Sequence, residues 1–149
     1  MRLSAAWTAL AFATLSTAAL AQEVIDADFL VSSTNAAGEQ VVQSARVVPN
    51  IEGACYAWRL RLGKTKEAVE VTEVLRLPSA PENWDPGSDR SDVSSNGLNA
   101  TTALSLVPED GWITHGWCVA AGDPNGRYRI EVSTAAKSLQ VFGFDLRAP

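Results

Sequence analysis

The residues of this chain that could do covalent or acid–base chemistry are two cysteines, Cys55 and Cys118, and one histidine, His115. Because His115 precedes Cys118 by three residues, one interpretation is a reactive thiolate beside an imidazole. The other is a structural disulfide. It would join residues 63 positions apart, and chain entropy would then stabilise a small domain by roughly 4 kcal/mol. No Cys-x-x-Cys motif indicates thioredoxin-type redox chemistry.

The single histidine offers little further chemistry. A Ser-His-Asp triad of the α/β-hydrolase type would need a Gly-x-Ser-x-Gly elbow, which is absent, and a zinc site would need two or more His or Cys ligands. Hydrolysis by paired carboxylates stays open, because such partners meet only in the fold. We predict no catalytic residue and no metal site. His115, on one strand face with Ile113 and Trp117, is predicted to be partly buried and is kept as a candidate binding residue.

An acidic stretch could offer oxygen ligands to calcium through Glu82, Asp85, Asp89 and Asp92. An EF-hand loop needs oxygen ligands at alternate positions, a central glycine and a closing glutamate. These acids have a different spacing, with Arg90 among them, so a solvated loop face is predicted and an irregular calcium site is the alternative. Asp85 and Asp89 remain candidate binding residues, and no cofactor is predicted.

Four tryptophans follow residue 21, and rigid aromatic faces suit sugar rings or a protein partner. Trp58 and Trp117 lie near the two cysteines and are predicted to pack in the core, like the tryptophan beside the inter-sheet disulfide of immunoglobulin-like domains. Trp84 and Trp112 fall at loop or strand-edge positions. They are candidate binding residues if exposed, and structural residues if they cover the edge of the core.

The first 21 residues have the organisation of a secretory signal peptide. Arg2 provides a positive n-region, a short apolar run follows, and the small residues Ala19 and Ala21 precede Gln22. The run is shorter than the about 20 apolar residues that a membrane span needs. We predict cleavage near Ala21-Gln22 and a periplasmic or secreted protein. An oxidising compartment favours the disulfide between the two cysteines over a free thiol.

The remaining residues, 22–149, are predicted to form one domain, a size that supports its own core. Without Arg2, 11 of the twelve basic residues face 17 acidic ones, a formal net charge of −6. An acidic chain without a basic stripe disfavours binding to nucleic acid and to anionic lipid. No further apolar run reaches spanning length, so no transmembrane segment is predicted in the mature chain.

The elements that must position these residues are strands. Apolar residues recur with a period of two, typical of half-buried strands, in the segments Ile25–Val31, Tyr56–Leu62, Val69–Leu77, Tyr128–Val132 and Phe142–Leu146. No alternation with helices indicates a parallel α/β sheet. We predict an all-β, antiparallel two-sheet sandwich, immunoglobulin-like, with seven or eight strands and one disulfide. A closed barrel is the alternative.

Turn residues separate these strands. Asn35–Gly38 is predicted to link the first two. Gly122–Gly126 is predicted to close a hairpin between strands near 112–120 and 127–133, which makes the last three strands a meander. Residues 78–98 contain three of the seven prolines and little apolar pattern, which predicts a long loop with Trp84 as its one large apolar anchor.

Several segments together resemble a group of small exported bacterial β-sandwich proteins known as a domain of unknown function. They are Glu70–Pro78, the Pro-rich stretch after it, Gly116-Trp117, Gly122–Val132 and Leu139–Leu146. The resemblance covers roughly residues 45–147, although the cysteine pair is not one of the group's features. It implies a sandwich fold and an exported location, and it transfers no functional residue.

The function predicted from these features is that of an exported, non-catalytic β-sandwich, an accessory subunit that binds a protein or another envelope component. Exposed strand edges and the 78–98 loop are the predicted contact elements. The alternatives are a carbohydrate-binding module built on Trp84 and Trp112, and a small periplasmic hydrolase.

Overall fold

The computed structural model describes residues 22–84 and 91–149. The predicted signal peptide, residues 1–21, lies outside the described residues, as do Asp85 and Asp89 of the acidic stretch. In the part that is described, the chain forms ten strands in two sheets and no helix. Those residues accordingly include no helix that is long and apolar enough to cross a membrane.

The two sheets contain four and six strands. The small sheet has the order β2-β1-β4-β8, and the large sheet has the order β3-β10-β9-β5-β7-β6. Neighbouring strands are antiparallel except for the parallel pair β3 and β10. In chain order the strands are β1 Val24–Thr34, β2 Gln40–Ser44, β3 Val47–Pro49, β4 Cys55–Leu62, β5 Val69–Arg76, β6 Ser91–Val93, β7 Asn99–Leu106, β8 Trp112–Cys118, β9 Gly126–Ser133 and β10 Ser138–Arg147.

Alternation of side chains between the two faces of each strand produces the core. Along β4 every second side chain, from Tyr56 to Leu62, is buried, and the residues between them face outward. Aromatic rings from the two sheets meet in the middle, where the Phe144 ring lies 4.8 Å from Phe29 and 4.6 Å from Tyr56, centroid to centroid. The predicted two-sheet sandwich is confirmed.

The turn at Asn35–Gly38 joins β1 and β2 as predicted. The Asn35 side-chain oxygen accepts hydrogen bonds from the backbone N–H groups of Ala37 and Glu39, both at 2.9 Å. Gly38 has a φ of 81°, the left-handed conformation that glycine adopts without steric cost. This hairpin places β2 at the edge of the small sheet.

The predicted hairpin between the strands near 112–120 and 127–133 is wrong. β8 belongs to the small sheet and β9 to the large one, so Gly122–Gly126 crosses between the sheets. The Tyr128 hydroxyl donates to the carbonyl oxygen of Pro124 at 2.8 Å, an arrangement like the tyrosine corner of immunoglobulin-like sandwiches. Of the last three strands, only β9 and β10 pair with each other, so they do not form a meander.

Strand β6 lies inside the stretch 78–98, which was predicted to be a single long loop. It pairs with β7, and the Ser91 and Thr102 hydroxyls are hydrogen-bonded at 2.6 Å. Only three residues long, β6 has no apolar alternation that would reveal it in the sequence. The similarly short β3 and β6 raise the number of strands above the seven or eight predicted.

Candidate functional site

Among the described residues, one carboxylate is buried between the two sheets. Glu73, at the centre of β5, is 0% exposed, and three N–H donors of the small sheet reach it. Trp58 Nε1 donates to Glu73 Oε2, Trp117 Nε1 donates to Oε1 at 2.6 Å, and His115 Nδ1 lies 2.8 Å from Oε2. We call Glu73, Trp58, His115 and Trp117 the Glu73 cluster.

The chemistry of this cluster follows from its hydrogen bonds. An ionised carboxylate only accepts hydrogen bonds, so a bond from His115 to an ionised Glu73 requires the tautomer with the proton on Nδ1. The His115 side chain is 26% exposed. A carboxylate that holds an imidazole by Nδ1 is also the orienting half of a catalytic triad, so a partner on the other ring nitrogen would decide whether the pair can act on a substrate.

The described residues supply no such partner. Among residues 22–84 and 91–149, the hydrogen bond of the His115 side chain goes to Glu73, and no hydroxyl or thiol is bonded to its Nε2. The same part of the chain contains no group of three His, Cys, Asp or Glu side chains placed to hold a metal ion. The hydrogen bonds to Glu73 themselves link the two sheets.

The two cysteines form the predicted disulfide. Cys55 and Cys118 are directly opposite each other on the adjacent strands β4 and β8. The bond therefore joins two strands of one sheet, whereas the immunoglobulin-type bond crosses between sheets. Trp58 is fully buried as predicted, and Trp117 is partly buried against the core.

The disulfide lies at one side of a shallow depression in the outer face of the small sheet. We call this depression, of about 210 Å³, the apolar trough, and it is lined mainly by Leu30, Val42, Ala57, Gly116 and the Cys55–Cys118 bond. It exists because Leu30, Ala57 and Gly116 form one row across β1, β4 and β8, and two of these three side chains are very small. Val42, on β2, is 59% exposed at its rim.

A polar row borders the apolar trough. Arg59 on β4 pairs with Asp28 on β1 at 3.0 Å, and its guanidinium lies 4.5 Å from the centroid of the Trp112 ring. Burial acts to raise the pKa of Asp28, but hydrogen bonds from Ser44, Arg59 and the Phe29 backbone N–H outweigh it, so the pKa is lowered. The outer face of the small sheet is thus apolar towards the disulfide and polar beyond Ala57.

The structure does not bring the two candidate tryptophans together. Trp84 is partly buried, and its Nε1 donates to the carbonyl oxygen of Gly97 at 3.2 Å. It lies beside Cys118, at one end of β8, whereas Trp112 is at the other end. At about 3.3 Å per strand residue, these ends are about 20 Å apart. Trp84 and Trp112 therefore do not form one aromatic platform.

A small cavity beside Trp84 contains a half-buried carboxyl group. Asp123 and Tyr128 line it together with Trp84. Burial raises the pKa of Asp123, although a hydrogen bond from the Ala120 backbone N–H acts in the opposite direction. Burial also raises the pKa of Tyr128, with a smaller contribution from the Asp123 charge. The space, about 50 Å³, is too small for a substrate.

Sequence reasoning missed Glu73, the most deeply buried ionisable side chain of the site. Its signal was present, because Val69, Val71 and Leu75 alternate on the buried face of β5 and Glu73 occupies the position between them. A charged residue on a buried face must find partners. The sequence could have shown that an acid lies inward, but the three donors come from β4 and β8, which no local pattern indicates.

Comparison with known proteins identifies the fold. An immunoglobulin-like protein from Pseudomonas aeruginosa has a solved structure similar to this chain, with a TM-score of 0.55 and 19% sequence identity over 85% of this chain and 96% of that one. This similarity confirms the predicted immunoglobulin-like fold class. The alkylpurine DNA glycosylase AlkC from Pseudomonas fluorescens, bound to DNA, gives a TM-score of only 0.35 at 14% identity, over 82% of this chain and 30% of that one. So low a TM-score does not indicate a shared fold.

Sequence comparison points to one family. No curated protein matches the chain. The family model described as the PM0630 beta sandwich domain matches residues 27–147, which include every strand from β2 to β10 and most of β1. The predicted resemblance to a β-sandwich domain family is thereby confirmed, and the chain belongs to the PM0630 beta sandwich domain family.

Proposed function

We propose that this protein is an exported, non-catalytic binding module that docks an extended segment of an envelope protein against the outer face of its small sheet. The observation that carries the proposal is the edge strand β2, whose five side chains are all exposed and which lies beside the apolar trough. Strand edges with unpaired backbone groups accept an added strand, and neighbouring pockets that bind its side chains make the interaction specific.

The edge at β2 lacks the usual protection against pairing. Natural sheets blunt their edges with short strands, charged side chains or proline. Both edges of the large sheet have such features, because β3 and β6 are three residues long and contain Pro49 and Asp92 respectively. The sequence of β2, Gln-Val-Val-Gln-Ser, has none of them. Unlike β8, the other edge of the small sheet, β2 is exposed on both faces.

The apolar trough would provide side-chain contacts in addition to the backbone pairing at β2. A volume of about 210 Å³ suits one or two apolar side chains of an added segment better than a whole small molecule, since ligand pockets are typically larger. Val42 stands between the edge and the apolar trough. One extended segment can therefore pair with β2 through its backbone and place an outward-facing side chain beside Val42, at the rim of the apolar trough.

Export is part of the proposal. It rests on the signal-peptide pattern of residues 1–21 and is supported by the disulfide, which persists in oxidising compartments. We place the mature protein, beginning near Gln22, in the periplasm or outside the cell. Carbohydrate binding across Trp84 and Trp112 is not proposed, because the two rings lie at opposite ends of β8.

The proposal is tested by affinity purification from the solubilised envelope fraction with a charge placed at the edge. Val42→Asp puts a carboxylate where an apolar contact is proposed, and we expect it to lower the yield of a stoichiometric protein partner at least ten-fold. Val141→Asp is the matched control, because Val141 is also exposed but lies on the large sheet. Equal partner yields from the two folded variants would contradict the proposal.

A further inference from the structure

A large open cavity lies at the end of the sandwich away from the disulfide. It has a volume of about 890 Å³ and is formed where β4 ends at Leu62, between the loop 63–68 and the turn that joins β7 to β8. Backbone hydrogen bonds fix its frame, from Leu62 N to Gly111 O at 2.9 Å and from Gly63 N to Glu23 O at 3.0 Å. We call it the basic cavity.

Three cationic side chains line the basic cavity. Arg61, Lys64 and Lys66 face it, and Asp110 is the one acid among the described residues of its lining, which gives that lining two net positive charges. Within the described residues none of the three cations forms an ion pair, whereas Arg59, Arg127, Arg129 and Arg147 all pair with carboxylates. Of the six basic residues that form no ion pair within the described part of the chain, three line this one hollow.

Electrostatics indicate the ligand's charge. Like charges around one hollow repel each other, and a bound anion converts that repulsion into attraction. Lysine and arginine are the usual partners of phosphate groups, and a phosphate monoester carries about −1.5 to −2 charges at neutral pH. This charge matches the net charge of the lining. The net negative charge of the whole chain, which argues against anionic partners, is opposite in sign to the charge of this cavity's lining.

The remaining lining residues suit the rest of such a ligand. The volume lies within the range of small-molecule sites, roughly 300–1,000 Å³. Ile25, 60% exposed, and Pro108 give the basic cavity an apolar wall, and Thr65 adds a hydroxyl group. We propose that the basic cavity binds a phosphate monoester, with its charged group between Arg61, Lys64 and Lys66 and its organic part against Ile25 and Pro108. The site is separate from the apolar trough.

Two probes distinguish the possible sources of the phosphate group. Glucose 1-phosphate represents a soluble ester, measured by calorimetry, and phosphatidylcholine vesicles with 20% phosphatidic acid represent a lipid headgroup, measured by co-sedimentation against pure phosphatidylcholine vesicles. Binding to either probe supports the proposal and assigns the source. Absence of binding to both at low ionic strength overturns it.

Three variants tie any binding to the basic cavity. Lys64→Gln is expected to weaken the affinity about five-fold, the equivalent of losing one partly exposed charge contact of about 1 kcal/mol. Lys137→Gln, which removes a lysine from the turn between β9 and β10, is expected to leave the affinity unchanged. Asp110→Asn removes the opposing carboxylate and is expected to tighten binding.

The Asp110 variant also keeps the test independent of folding damage. Asp110 has a φ of 50°, a left-handed conformation that asparagine tolerates as well as aspartate. A structural defect would not increase affinity, so tighter binding by Asp110→Asn identifies a charge effect. Equal effects of Lys64→Gln and Lys137→Gln, with unchanged melting temperatures, would show that any binding is non-specific and would overturn the proposal.

Discussion

At the scale of single residues, the organising feature is a buried carboxyl group with both oxygens hydrogen-bonded. Taking an ionised carboxylate out of water costs several kcal/mol unless the protein replaces its hydrogen bonds. Glu73 has three N–H partners, from Trp58, His115 and Trp117, all on the opposite sheet. Three directional bonds across the core fix how β5 lies against β4 and β8, which apolar contacts alone specify less sharply.

This interpretation predicts a large loss of stability when Glu73 is changed. Glu73→Ala is expected to lower the free energy of unfolding by about 3–5 kcal/mol, because it leaves buried donors unpaired. Glu73→Gln is expected to lower it by about 1–3 kcal/mol, since its amide group places N–H against N–H. Urea denaturation followed by tryptophan fluorescence measures both values.

Glu70→Gln is the matched control for these variants. Glu70 lies on the same strand but is exposed, and it bonds the Ser105 hydroxyl. Its substitution is expected to leave the unfolding midpoint close to that of the wild type. If Glu70→Gln and Glu73→Gln shifted the midpoint equally, the carboxylate between the sheets would have no special role.

The half-buried Asp123 is expected to make the folding stability depend on pH with the opposite sign from that of an ion-paired carboxylate. Burial raises its pKa in the folded state, so its contribution to stability is full below the unfolded pKa and is lost as pH rises through the folded pKa. Asp123→Asn removes this titration. The unfolding free energy of the variant minus that of the wild type is therefore expected to be greater at pH 7 than at pH 3. An equal difference at both pH values would contradict the pKa shift.

At the scale of elements, the pairing of β4 with β8 builds the outer face of the small sheet. The disulfide joins Cys55 to Cys118, and the next outward-facing pair is Ala57 with Gly116. A Cβ atom on Gly116 would collide with the Tyr56 carbonyl oxygen and lie 2.8 Å from Ala57 Cβ. Glycine thus permits both the close approach of these strands and the apolar trough above them.

A methyl group at Gly116 is expected to be costly. Gly116→Ala must push β8 away from β4, and overpacking of this kind typically lowers stability by about 1–3 kcal/mol. Gly63→Ala is the control, because a Cβ at Gly63 meets nothing within 4 Å and its φ is not left-handed. Thermal melts of both variants compare the two sites, and equal melting temperatures would show that the strands tolerate the extra atom.

The apolar alternation in the sequence predicted the positions of the main strands well, but it did not predict which sheet each strand belongs to. Alternation along β4, β5, β9 and β10 is visible in the sequence because one face of each strand is buried. Membership in a sheet depends on distant partners, so the crossing at Gly122–Gly126 was mistaken for a hairpin turn. The disulfide could be predicted because a signal-peptide pattern and a count of two cysteines favour it. The apolar trough could not be predicted from the sequence, because its residues come from four strands.

At the scale of the whole molecule, the sandwich separates its interior from two different surfaces. The Glu73 cluster, including the single histidine, lies between the sheets and links them. The apolar trough and the uncharged edge of β2 occupy one part of the small sheet, and the basic cavity lies at the far end of β4. The molecule thus has its polar cluster inside and two surfaces of different chemical character outside.

The most direct test of the proposed docking face is site-specific photo-crosslinking in intact cells of the native organism. A benzophenone amino acid at position 42 lies on the proposed docking face, and one at position 141 lies on the large sheet. We expect one crosslinked protein partner from position 42, mapped by mass spectrometry to an extended segment, and none from position 141. No crosslink from position 42, or the same products from both positions, would contradict it.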